Sequence, residues 1–176
     1  MILGAVLAGG LATRFGSDKA LAAAAGETLL DRAVAQLAVQ CDAVVVAGRE
    51  AAPVPVLADR PRSGMGPLGG IAAALHHASD NGFDAVLTSG VDSPGLPADL
   101  AARLAPPPAY LAAQPVVGLW PASAAETVDA ILAGEGRHSL RAFAEALGAR
   151  AVTLPSDPAN INTPADLAEW ETRHGL

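Results

Sequence analysis

The chain has a single cysteine, Cys41, among 176 residues. An internal disulfide and a zinc site made of several thiolates are thereby excluded, and a lone thiol of this kind reads as a small apolar core residue. Aromatics make up only 3% of a chain that is 51% hydrophobic, so the core has to be built from Ala, Leu and Val. Cations are scarce: 11 Lys and Arg stand against 18 Asp and Glu, for a formal net charge of −7. That balance argues against a nucleic acid or an anionic membrane as partner, since both select clustered basic surface. A small anionic ligand stays open if the few cations are concentrated. No run approaches the ~18 apolar residues of a membrane span. The apolar start, about 8 residues with no basic segment before it, reads better as a strand than as a secretory leader, so the expected compartment is the cytoplasm. His76 and His77 are adjacent and cannot share one helix face, and His138 and His174 have no partner by spacing. There is no G-x-S-x-G elbow and no Cys/His pair to suggest acyl transfer.

What the chain does have is concentrated at its start. Leu3–Ala8 is a short apolar run; Gly9-Gly10 breaks it, and Arg14 and Lys19 follow. This reads as a buried strand ending in a glycine turn that delivers two cations. Glycine lets backbone approach a ligand closely, and backbone N–H groups with flexible cations suit a polyphosphate.

The rest alternates. A helix is expected from Thr28 to Gln40, strands at 43–47, 54–57 and 85–88, a helix from Pro67 through Ala78, and a short helix over 98–104. Such βαβ alternation predicts an α/β fold with a mostly parallel sheet, in one domain spanning 1–176. Pro106-Pro107-Pro108 is a stiff break, with too little chain after it for a second core. A strand at 116–119, helices at 126–133 and 140–147, and a strand at 151–154 complete the pattern. Thr163-Pro164-Ala165-Asp166 predicts the capped start of a last helix.

Two nucleotide motifs fail on spacing or context. A phosphate loop needs Gly, four residues, then Gly-Lys-Ser/Thr; here Gly10 and Gly16 are six apart and Lys19 is followed by Ala20. G-x-G-x-x-G occurs at Gly64, Gly66 and Gly69, but Arg60–Ser63 separate it from the preceding strand, and Asp84 begins a strand where the motif's acid should end one. Asp92 is better placed. It lies just past the carboxyl end of a buried strand, the edge where open α/β sheets bind ligands. Mg²⁺ binds through one or two carboxylates and completes its shell with phosphate oxygens and water, so Asp92 suits it. Asp59, also past a strand, is a second candidate. Asn160 and Asn162 alternate before the last helix and would face one side of an extended segment.

Taken in order, Leu7-Ala8-Gly9-Gly10-x-x-x-Arg14-x-Gly16-x-Asp18-Lys19, Gly66-Pro67-Leu68-Gly69-Gly70, Asp92-Ser93-Pro94 and Asn160-Ile161-Asn162-Thr163-Pro164 resemble the molybdenum cofactor guanylyltransferases. The resemblance spans nearly the whole chain. It implies a three-layer α/β/α sandwich of the Rossmann-like nucleotidyltransferase type. It implies GTP and molybdopterin as small-molecule substrates, Mg²⁺ as cofactor, and transient contacts with other molybdenum cofactor biosynthesis proteins or target enzymes. Leu7, Ala8, Gly9 and Gly10 would meet the nucleotide, the first three contacting guanine through backbone groups. Arg14 and Lys19 would hold phosphates, Asp92 the metal, and Asp59 would help position the nucleotide. Gly70, Asn160 and Asn162 would lie on the pterin side. Two departures stand out. The proline-rich segment at 105–115 is short where the family carries an additional strand, leaving that sheet edge open. Ser17 stands where some relatives have a second glycine pair. A CTP-using relative acting on molybdopterin or on a sugar or polyol phosphate, and a non-catalytic nucleotide sensor, fit the same residues.

Overall fold

Three apolar runs become the centre of the molecule. The computed structural model describes residues 1–10 and 18–176. In chain order the elements are β1 (Ile2–Leu7), a 3-10 turn at Lys19–Leu21, the tiny hairpin β2 (Ala23–Ala24) and β3 (Glu27–Thr28), α1 (Leu29–Ala38), β4 (Ala43–Ala47), β5 (Val56–Leu57) and α2 (Pro67–Asp80). Then come β6 (Ala85–Gly90), α3 (Leu100–Leu104), β7 (Ala109–Leu111), β8 (Gln114–Pro121), α4 (Ala125–Ala133), α5 (Leu140–Ala146), β9 (Arg150–Val152) and α6 (Pro164–His174). The main sheet has the order β5-β4-β1-β6-β8-β7-β9, and only β8 runs against the others.

Both faces of this sheet are covered, which is why its central strands are apolar without alternation. Leu3 and Ala5 of β1, Val45 of β4 and Val86 of β6 face α2, α4 and α5, where Leu68, Ile71, Leu75, Val128 and Phe143 are buried. Val6, Val46 and Leu87 face the opposite way, onto Leu30 and Leu37 of α1, Leu100 and Leu104 of α3, and Leu167 and Trp170 of α6. The result is the three-layer α/β/α sandwich with a mostly parallel sheet. Among the described residues no helix is long and apolar enough to cross a membrane.

Local signals set most boundaries. Thr28 caps α1 by accepting from the Asp31 amide at 3.0 Å, and Thr163 and Asp166 form a full capping box on α6. β6 runs two residues beyond the expected Thr88, to Gly90. The open sheet edge is filled: Ala109–Leu111 forms β7 between β8 and β9. Three residues cannot announce a strand by periodicity; β7 exists because neighbours on both sides satisfy its backbone.

The sheet order reverses between β1 and β6. Leu7 is in register with Ala47 on one side and Gly90 on the other. Three chain segments therefore leave the sheet level with one another at its carboxyl edge: those after Leu7, Ala47 and Gly90. This switch point is the default ligand crevice of such a sheet.

Candidate active site

The floor of the crevice is backbone packed on backbone. Gly48, at φ +83°, follows β4, and a Cβ on it would lie 2.6 Å from both Cα and N of Gly9. The Ala8 N–H donates to the Ala47 carbonyl at 3.0 Å, which commits that amide to the sheet. Directly after Gly48, the Arg49 guanidinium reaches Asp18, Nη1 to Oδ1 at 2.9 Å and Nη2 to Oδ2 at 2.8 Å. Arg49 holds the Asp18 carboxyl below the usual carboxylate range, helped by the Ala20 amide, and Asp18 in turn raises the Arg49 guanidinium. Asp18 also accepts from Ala20 N at 3.2 Å and so caps the turn that carries Lys19.

Lys19 meets Asp92 across the crevice, Nζ to Oδ2 at 3.5 Å, with side chains 16% and 29% exposed. A cation and a carboxylate at this separation, partly dried, can share a triphosphate with its metal. Gly90 makes room for this: a Cβ there would stand 2.4 Å from Asp92 Oδ1. A cavity of about 310 Å³ is lined by Leu7, Ala8, Gly9, Gly10, Lys19 and Asp92, together with Asp18, Ala20, Pro67, Gly90, Val91 and Val116. Arg14 lies outside the described residues.

A second cavity, of about 780 Å³, shares Asp92 and Val116 with the first and continues past Gln114 and Asn160 to Tyr110, Ser139 and Arg141. The asparagine segment is tied to the metal-candidate loop, since Ile161 N donates to the Asp92 carbonyl at 2.8 Å. Asn162 N and Thr163 N both donate to Asp166 Oδ2, at 2.9 and 2.8 Å. The Asn162 amide chiefly, then the Thr163 hydroxyl and amide, and the Lys19 charge as well, hold the Asp166 carboxyl low.

Asp59 is half-buried, and burial pushes its carboxyl above the usual range. Gly70 is buried beside it: a Cβ on Gly70 would approach Leu7 Cδ2 at 3.0 Å, Ala47 Cβ at 3.1 Å and Asp59 Oδ1 at 3.6 Å. Gly70 therefore sits with Leu7 and Asp59, at the packing of α2 on the sheet beneath the first cavity. The resemblance assigns it to the pterin side; in the structure its neighbours are Leu7, Ala47 and Asp59, because α2 starts at Pro67 and its first turn is pressed onto β1 and β4.

The acids fit a divalent cation of the hard kind. Among the described residues no three His, Cys, Asp or Glu converge, and Asp18 is committed to Arg49. Among the described residues Asp92 is the one carboxylate that lines both cavities, and a hard divalent cation held there would draw most of its shell from phosphate and water.

Arg49 and Gln114 carry no motif in the sequence. The one available signal for Arg49 was its position, just past a buried strand and a glycine, at the same edge as Asp92.

Comparison with known proteins agrees over most of the chain. A family model described as the MobA-like NTP transferase domain matches residues 4–154. A molybdenum cofactor guanylyltransferase of Acidiphilium cryptum is 41% identical, covering 92% of this chain and 90% of the relative. One from Rhodobacter capsulatus is 38% identical, covering 98% and 96%. Among solved structures, molybdopterin-guanine dinucleotide biosynthesis protein A from Archaeoglobus fulgidus superposes with a TM-score of 0.78 at 20% identity, over 98% of each chain. A nucleotidyl transferase from Methanothermobacter thermautotroptrophicus gives 0.72 at 20% identity, over 98% of this chain and 97% of that one.

Proposed function

The chain belongs to the MobA-like NTP transferase family and is a nucleotidyltransferase, and on that premise we propose that it transfers GMP from GTP to the phosphate of molybdenum-bound molybdopterin, releasing pyrophosphate. The observation that carries the reading is the pair of cavities that meet at Asp92. One is lined by the glycine turn and Lys19 and suits a triphosphate; the other is larger, bordered by Asn160, and suits a bulky polar acceptor. Reacting groups from the two would meet where they join. The names of the relatives supply guanine and the pterin.

The step is an in-line displacement. An oxygen of the acceptor phosphate forms a bond to the α-phosphorus of GTP, the bond from that phosphorus to the β-phosphate oxygen breaks, and the electron pair leaves with pyrophosphate. A phosphate oxygen is already anionic near neutral pH, so no general base is required. Positioning and charge neutralisation supply the acceleration. Lys19 and Arg14 bind phosphate oxygens and offset charge on the leaving group. Asp18, fixed by Arg49, aims Lys19. Asp59 helps position the nucleotide, and Asn160 and Asn162 orient the acceptor. Asp92 holds the divalent metal, read as Mg²⁺, which when bound neutralises part of the triphosphate charge.

The test is a pyrophosphate-release assay with molybdenum-loaded molybdopterin and, in turn, GTP, CTP, ATP and UTP, with the product identified by mass. Release with GTP and a guanine dinucleotide product are expected. Preference for CTP, or nucleotide binding without release for any acceptor, overturns the proposal.

A further inference from the structure

Gln114 opens β8 and is 93% buried, its side chain reaching in two directions. Its Nε2 donates to the Ala159 carbonyl at 2.8 Å and to the Pro158 carbonyl at 3.2 Å. Its Oε1 accepts from the Ser93 hydroxyl. The orientation of the amide follows from its partners, because two carbonyls can only accept and so require the NH₂ group. Ser93 follows Asp92 and keeps its own hydroxyl 3.3 Å from Asp92 Oδ1. Pro158 and Ala159 lead directly into Asn160. One side chain thus spans the segment that carries the metal-candidate carboxylate and the segment that carries the acceptor-side asparagine. The Ile161 to Asp92 backbone bond, 2.8 Å, is the second tie between the same segments. Gln114 also lines the larger cavity beside Asp92 and Asn160.

We infer that Gln114 is a positioning residue that fixes the separation between the nucleotide and acceptor halves of the site, through Ser93 on one side and Pro158-Ala159 on the other. The inference rests on the two-substrate reading above. The chemistry singles out glutamine: it accepts from a hydroxyl while donating to two carbonyls. Glutamate of the same length has no donor when ionised, and methionine fills the volume with neither. A partly satisfied buried network is costly, so the tie holds only while all its partners are present. Displacing two substrates by about 1 Å costs on the order of 10²-fold in rate, whereas binding of the nucleotide alone does not depend on the distance to the other half.

The experiment uses the full chain with Gln114→Met, Gln114→Glu and Ser93→Ala. GTP affinity is measured by calorimetry, kcat and acceptor KM by pyrophosphate release, and backbone order by hydrogen exchange of residues 91–95 and 156–163. Gln114→Met is expected to keep the GTP Kd within about twofold, to lower kcat/KM for the acceptor by about 10²-fold, and to speed exchange in both segments together. Gln114→Glu is expected to match it at neutral pH and to regain rate as the pH falls and its carboxyl becomes a donor; Gln114→Met shows no such rise. Ser93→Ala breaks one arm and falls between wild type and Gln114→Met. Unchanged acceptor kinetics in Gln114→Met overturn the inference. So does parallel loss of GTP binding and thermal stability, which is the mark of a residue that merely packs. The exchange measurement needs no substrate: unchanged exchange in 156–163 of Gln114→Met overturns the inference whatever the acceptor proves to be. Failure of wild-type protein to transfer GMP instead overturns the proposed function.

Discussion

Arg49 grips Asp18 with both ends of its guanidinium fork, at 2.9 and 2.8 Å, across 31 residues of sequence. The pair joins the turn after β4 to the turn that carries Lys19. Asp18 is nearly half exposed, and pairs of that kind contribute only about 0.2–1 kcal/mol. Its importance is therefore geometric. Arg49→Lys keeps the charge and loses the two-point grip. The expected outcome is a rise of about 10-fold in the nucleotide KM, with Tm within ~4 °C of wild type. Steady-state kinetics with a melting curve checks it, and an unchanged KM would show that Lys19 is aimed by other contacts.

Lys19 lines the smaller cavity and reaches Asp92, which lines both cavities. Removing one preorganised charge from such a site costs about 10²–10³-fold in rate. Lys19→Ala and Asp92→Asn should each stay folded and lose turnover on that scale. Asp92→Asn should in addition need far more Mg²⁺ for its residual rate, whereas Lys19→Ala should not. Circular dichroism and a Mg²⁺ titration of pyrophosphate release separate the two.

Asp59 works against stability. Burial raises its carboxyl, so ionising it costs more in the folded protein than in the unfolded chain. Its contribution is best below the usual carboxylate value, near ~3.9, and falls as pH rises through the window from there to the raised folded value. Above that window the penalty persists. Asp59→Asn should remove this fall, making the protein more stable than wild type at pH 7 but no more stable in acid. If Asp59 helps position the nucleotide, the same change weakens GTP binding by roughly 5- to 30-fold, equivalent to 1–2 kcal/mol. Denaturant titrations at several pH values and a GTP binding isotherm test both halves.

The parts of this molecule legible in its sequence are those whose causes are local. The runs that form β1, β4 and β6 are apolar because both faces are covered, and Thr28 and Thr163 announce their helices by capping chemistry. The crevice was legible too, since Leu7 and Asp92 lie where strands end and Lys19 follows the Gly9-Gly10 break in sequence. What escaped depends on distant partners. β7 is three residues, recognisable only beside β8 and β9. Arg49 and Gln114 are single polar residues whose roles come from Asp18, Ser93 and the 158–159 carbonyls. Gly70 stood out only through the family resemblance, and the neighbours that constrain it, the β1 end and Asp59, are brought to it by the packing of α2.

Two glycines at the crevice should respond to alanine in opposite ways. At Gly48 the obstacle is backbone: φ is +83°, and the new Cβ would lie 2.6 Å from Gly9 Cα and N. The left-handed conformation alone costs roughly 1–2 kcal/mol for a residue with a Cβ, and the Gly9 turn has to move as well. Gly48→Ala should therefore lower both Tm and nucleotide affinity. At Gly90 the obstacle is the Asp92 carboxylate, Oδ1 at 2.4 Å from the added methyl, and a side chain can rotate away. Gly90→Ala should keep Tm close to wild type, yet turn Asp92 out of line and cut turnover by about 10²-fold, as an Asp92 substitution does. Melting curves and rates on the two variants decide the matter. A Gly90→Ala enzyme with wild-type turnover would show that the carboxylate does its work from a different rotamer.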